Sequence, residues 1–190
     1  MAEPLVGVLL CGGAGRRFGG GKLLAGSPPI ALRALANLRA ALPRVIAVVP
    51  ETDAALASAL REGGADVVAS ARTARGMGAS LAVGVGAAPA AAGWLVALGD
   101  MPAIAPATHA AVLDAIAAGA VLAAAFAPDG RRGHPVAFSA ALREALAALD
   151  GDLGARDVVA SRAAQLRRVV VDDPGIFIDI DTPEDLGRAG

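Results

Sequence analysis

The chain has 190 residues and a formal net charge of −1, with 55% hydrophobic, 18% charged and 3% aromatic residues. That length suits one domain over residues 1–190 with a sizeable core, and the charge balance excludes the global cationic bias of a nucleic-acid or anionic-membrane binder. A single cysteine, Cys11, excludes an internal disulfide framework and fits a reducing cytoplasm.

In chain order, Met1-Ala2-Glu3-Pro4 lacks the cationic start of a signal peptide. Leu5–Leu10 is an apolar run that reads as a buried strand. It feeds a loop from Cys11 to Lys22 that holds six glycines, Arg16, Arg17 and Lys22. Glycines let a backbone turn sharply and approach a ligand, and N–H groups with fixed cations hold phosphates. The loop fails the P-loop pattern, which needs Gly at Arg16 and Ser or Thr at Leu23. It also fails G-x-G-x-x-G, because the third glycine falls on Phe18. A solvated glycine-rich turn is the plain alternative.

Beyond the loop, strands are expected at Val45–Val49, Val67–Ala69, Trp94–Leu98 and Val121–Phe126. Helices are expected at Pro29–Ala41, Thr52–Arg61, Gly78–Ala88 and Pro106–Ala118. This alternation predicts an α/β fold with a mostly parallel sheet, whose ligands sit at the carboxyl ends of its strands. The uncharged stretch Leu81–Gly99 is broken by Pro89 and several glycines, so a helix, a turn and a buried strand explain it better than a membrane span. Asp129–Gly133 reads as a turn, His134–Phe138 as a short strand, residues 139–149 as a helix and Leu166–Val171 as a strand. Near the end, Thr182 can cap a helix whose first residue is Pro183 and whose first turn carries Asp185.

The candidate chemistry follows the strand ends. Asp100 terminates an apolar strand, where a carboxylate either holds Mg²⁺ beside a phosphate loop or caps the next turn. Asp179 and Asp181 form a second acidic pair, of which Asp181 is preferred as a ligand; the alternative is that both cap the following helix. Arg131, Arg132 and His134 make a cationic loop that either grips a second phosphorylated ligand or is solvated. In Gly76-Met77-Gly78-Ala79-Ser80, the glycines permit close approach and Ser80 can bond a base or sugar, or the segment is a helix entry. Cys11 reads as a small residue at a strand end, Trp94 as core, and with His109 on an apolar helix a histidine zinc site is not expected.

These segments, in this order, resemble the MobA/MocA-type nucleotidyltransferases. The resemblance rests on Leu10, Gly13, Gly15, Arg17, Phe18, Gly19 and Lys22, on Gly76–Leu81, on Leu98–Pro102, on Arg132–Val136 and on Asp179–Leu186. The later motifs look most like the MocA branch, the molybdenum cofactor cytidylyltransferases. The resemblance implies a three-layer Rossmann-like nucleotidyltransferase fold and Mg²⁺-dependent transfer of CMP from CTP to the terminal phosphate of molybdopterin. Arg17 and Lys22 would hold the triphosphate, and Asp100 and Asp181 the Mg²⁺. Leu10, Cys11, Gly12, Gly13, Gly15, Gly78 and Ser80 would meet the nucleotide, and Arg132 and His134 the pterin acceptor. A recipient molybdoenzyme or its chaperone is an implied partner; nucleic acid and membrane are not. The chain departs from the pattern at Cys11, at Gly21 and at Gly12, whose Gly-Gly looks like the guanylyltransferase form and makes GTP the second choice of nucleotide. A cytidylyltransferase for a sugar or polyol phosphate and a non-catalytic nucleotide-binding accessory protein are the other readings.

Overall fold

A computed structural model describes residues 4–12 and 21–188. Seven strands form one sheet in the order β3-β2-β1-β4-β6-β5-β7. They are β1 Val6–Leu10, β2 Val45–Pro50, β3 Asp66–Ser70, β4 Gly93–Leu98, β5 Leu122–Phe126, β6 Arg132–Ser139 and β7 Leu166–Val170. β1 pairs in parallel with both β2 and β4, β2 with β3, and β5 with β7. Only β6 runs antiparallel, between β4 and β5. The expected mostly parallel α/β sheet is therefore present.

Side-chain alternation builds three layers. On β1, Val6, Val8 and Leu10 face one apolar cluster and Leu9 faces the other, as a period of two requires. Helices α1 Ile30–Ala41, α2 Ala54–Glu62 and α4 Pro106–Ala117 cover the Leu9 side. Helices α3 Met77–Gly86, α5 Arg143–Ala147 and α6 Arg156–Ser161 cover the Val8 side. Gly84 lets α3 sit close to the sheet: a Cβ there would stand 2.5 Å from Val8 Cγ1. Trp94 is fully buried among these residues, as expected of core. No helix among the described residues is long and apolar enough to cross a membrane, and Leu81–Gly99 divides into the end of α3, a turn and β4.

Several expected boundaries move. β6 begins at Arg132, so Arg132 and Gly133 belong to a strand rather than to a turn. The helix expected over 139–149 is a short 3-10 turn, Ala140–Leu142, followed by α5, because only Leu142 and Leu146 supply buried anchors there. The last segment forms a 3-10 helix, Pro183–Arg188. Its start is tied by Asp185, which accepts from the N–H groups of Asp181 and Thr182 and from the Thr182 hydroxyl.

His109 on α4 is buried, and its Nδ1 has no hydrogen-bond partner among the described residues. Burial lowers its pKa from 6.5 to about 4 against the opposing charge of Asp173. The folded state therefore favours neutral imidazole. Its stabilisation is complete above the unfolded pKa of 6.5 and is lost as pH falls toward 4. Urea unfolding of wild type and His109→Leu, compared at near-neutral pH and near pH 4, should show the wild type losing about 3 kcal/mol more than the variant. Parallel losses would show that His109 does not set this acid sensitivity.

Candidate active site

The strand order reverses at β1, whose neighbours are β2 on one side and β4 on the other. In such sheets, a crevice opens beyond the carboxyl ends of the two strands at the reversal. Here those ends are Leu10–Gly12 and Leu98–Asp100, stitched by Gly99 N–H donating to Leu10 O at 2.9 Å, while Cys11 N–H donates to Val48 O of β2 at 2.9 Å. Gly99 is required by this closeness, since a Cβ there would stand 2.7 Å from Cys11 Sγ.

Three chain segments bring charge to that point. Lys22 opens a short 3-10 turn, Lys22–Leu24, just after Gly21, whose φ of 65° suits glycine. Asp100 follows β4, and Asn37 on α1 pins the loop beyond it by donating to Pro102 O and Ile104 O, each at 3.0 Å. Asp181 arrives on the C-terminal segment, fixed by fully buried Ile180 and by Ile180 N–H donating to Asp100 O at 2.9 Å. Further back, Asp173 holds the same segment by accepting from Ala105 N–H at 2.9 Å and the Thr108 hydroxyl at 2.6 Å.

The result is one ammonium between two carboxylates. Lys22 Nζ donates to Asp100 Oδ2 at 2.9 Å and to Asp181 Oδ1 at 3.0 Å. Desolvation pulls the Lys22 pKa down, but hydrogen bonds and charge from Asp100 and Asp181 outweigh it and leave the pKa raised. The Lys22 side chain is 11% exposed, against 28% and 41% for the two aspartates. Asp179 is exposed instead and acts electrostatically on His134. The preferred carboxylate of the pair is thus the one that meets Lys22.

Two oxygens converging on one cation fit a hard divalent ion. Mg²⁺ is commonly held by one or two carboxylates, with water and substrate phosphates completing its shell. Among the described residues, no group of three or more His, Cys, Asp or Glu side chains could hold a metal. Cys11 is buried, and burial first, then the charges of Asp100 and Asp53, push its thiol pKa far above the usual range, which disfavours the reactive thiolate.

Adjoining cavities extend this centre into a trough. On the β2 side, about 300 Å³ lies between Gly12, Lys22, Pro50, Thr52, Asp53 and Thr73. A middle cavity of about 350 Å³ includes Gly12, Thr73, Ser80, Asp100 and Asp152. On the β6 side, about 270 Å³ is bordered by Arg132, His134, Asp152 and Arg156 over an apolar floor. Desolvation lowers the pKa of His134, Asp100 and Asp179 oppose that shift, and Arg132 reinforces it.

Sequence-derived site residues fall along the trough in a definite pattern. Leu10, Cys11 and Gly12 line it at the end of β1. Gly13, Gly15 and Arg17 lie outside the described residues. Gly78 N–H donates to Gly151 O at 2.8 Å, and the Ser80 hydroxyl donates to Gly76 O at 2.9 Å. Gly76 and Gly78 thus make room for loop 149–155; a Cβ at Gly78 would stand 2.7 Å from Asp150 O. That loop, tied further by an Arg75–Asp150 ion pair, brings Asp152 and Leu153 to the trough. Sequence reading missed both residues, and the paired glycines of Gly151-Asp-Leu-Gly154 were the available signal.

The family of MobA-like NTP transferase domains matches residues 7–169. Among solved structures, Rv0371c from Mycobacterium tuberculosis H37Rv is 32% identical, covering 100% of this chain and 98% of that one at a TM-score of 0.84. The manganese complex of Rv0371c from the same organism is 30% identical, covering 97% of each chain at a TM-score of 0.77. A nucleotidyl transferase from Methanothermobacter thermautotrophicus shares the fold at 22% identity and a TM-score of 0.80, covering 97% of this chain and 94% of that one. No curated protein sequence matches.

Proposed function

The chain belongs to the family of MobA-like NTP transferase domains, and from that premise we propose that it transfers CMP from CTP to the terminal phosphate of molybdopterin. The products are molybdopterin cytosine dinucleotide and pyrophosphate. The Lys22 ammonium bridging Asp100 and Asp181, with room on both sides, carries this reading. An acceptor phosphate oxygen bonds to the α-phosphorus as the bond to the pyrophosphate oxygen breaks. Such chemistry requires positioning and charge neutralisation rather than a covalent enzyme intermediate.

Asp100 and Asp181 would hold Mg²⁺, which would supply charge neutralisation at the phosphate oxygens. Lys22 then turns from the carboxylates to the triphosphate, which Arg17 and the Gly13 and Gly15 backbone also hold. Leu10, Cys11 and Gly12 form the nucleotide floor, while Gly78 and Ser80 back the wall beside it. Arg132 and His134 receive the acceptor. A molybdoenzyme or its chaperone in the cytoplasm takes the product.

GTP is the second reading because Gly12 gives the Gly-Gly form. Packing supplies another reason for that glycine: a Cβ on residue 12 would stand 2.8 Å from Ser80 Oγ and 3.3 Å from Thr73 Cβ. Gly12 therefore accommodates this chain's own Ser80, and CTP keeps first place.

Thermal stabilisation by CTP and by GTP, each with Mg²⁺, tests the choice. A nucleotide at 100 times its dissociation constant should stabilise by about 2.7 kcal/mol. A shift with CTP and little with GTP is expected; the reverse moves the chain to guanylyl transfer. Pyrophosphate release with a pterin phosphate, and not with sugar or polyol phosphates, tests the acceptor. A mere nucleotide binder would release none.

A further inference from the structure

The cavity on the β6 side has a floor of Leu10, Val96, Leu98, Val136 and Phe138. Among the described residues, no hydroxyl or amide side chain lines it. A polyol chain lying on that floor would leave the hydroxyls that face it desolvated and unpaired, whereas a flat ring covers such a floor with its face. Met77 and Leu153 flank the same cavity and remain 43% and 57% exposed, the state of an apolar lip awaiting a partner surface. The thioether of Met77 can adapt to a ring.

The polar groups sit at the rim. Asp152 borders both this cavity and the middle one that contains Asp100. The Asp152 carboxylate and the Arg156 guanidinium make no hydrogen bond or ion pair among the described residues. The loop that carries Asp152 and Leu153 is well anchored. Gly78 N–H donates to Gly151 O at 2.8 Å, and a Cβ at Gly154 would stand 2.9 Å from Met77 Sδ. An unpaired carboxylate on a fixed loop at the edge of an apolar slot suits a heterocycle that offers N–H donors in its plane.

We propose that Asp152, Leu153 and Met77 select the acceptor, admitting a flat heterocycle with ring N–H donors attached to a phosphate and rejecting polyol phosphates. Asp152 accepts from the ring N–H groups, Leu153 and Met77 cover the ring face, and Arg156 adds positive charge at the rim. This selection rests on the nucleotidyl-transfer reading, since it assigns the cavity to the acceptor of that reaction.

The test is a binding titration of a fluorescent pterin with a phosphorylated side chain, with ribitol 5-phosphate as the polyol probe. Wild type, Asp152→Asn and Leu153→Ser are compared, and CTP binding with Mg²⁺ is measured on each. Asp152→Asn should weaken pterin binding about 10–100-fold, and Leu153→Ser about tenfold, with CTP and ribitol phosphate binding unchanged. Both side chains are exposed, so the variants should fold. Equal pterin binding by all three proteins, or tighter wild-type binding of ribitol phosphate, overturns the proposal while leaving nucleotidyl transfer intact. Loss of pterin binding in Asp152→Asn, in a protein that never binds a nucleotide, removes the transfer reading and with it the acceptor role given to the cavity.

Discussion

Asp100→Asn should lower Mg²⁺-dependent pyrophosphate release by about 100-fold or more and leave the protein folded. The substitution keeps the shape of a residue whose backbone oxygen receives Ile180 N–H. It removes one of two carboxylate groups converging on the Lys22 position. A neutral amide is a poorer ligand for a hard divalent ion and does not offset its charge. Half-saturation by Mg²⁺ should therefore move to higher concentration as turnover falls. Nucleotide binding with the metal chelated should change little, because Asp100 meets the triphosphate only through a cation. Near-normal Mg²⁺-dependent turnover in this variant would remove Asp100 from the metal site.

The sheet was legible because its inner strands are short, continuous apolar runs, as burial on both faces requires. Val8 and Leu10 face one helical layer and Leu9 the other, so every position of the run Leu5–Leu10 had reason to be apolar. α6 was not legible, since its six residues bury only Val158 and Val159. Arg132 and Gly133 read as a turn because composition cannot reveal the irregularity between Ala124 and Phe126 that carries the β5–β6 pairing on to Arg132. At the site, the strand-end rule pointed to Asp100, the cationic glycine loop to Lys22 and the Asp179/Asp181 pair to Asp181, and the family resemblance gave the three their roles. Their meeting was invisible in one dimension, because Lys22 lies 78 positions from Asp100 and 159 from Asp181. Loop 149–155 was missed for a related reason: Gly76 and Gly78 read as ligand-approach glycines, yet their missing side chains admit another part of the chain.

Lys22→Met should separate two effects that Asp100→Asn leaves joined. The ammonium occupies the point on which both carboxylates converge. Removing it takes a cation from between two carboxylates and relieves a divalent ion of the need to displace it. Mn²⁺ affinity without nucleotide should therefore rise by about tenfold, readable from the loss of the free-ion electron paramagnetic resonance signal. Turnover should move the other way, by about 100-fold, because the triphosphate loses a cation that neutralises developing charge. Opposite signs in one variant are the mark of a lysine that holds the metal position in reserve and leaves it when the nucleotide enters. A parallel fall in Mn²⁺ affinity and turnover would mean instead that Lys22 braces the carboxylates in place, and the exchange between them and the triphosphate would have to be abandoned.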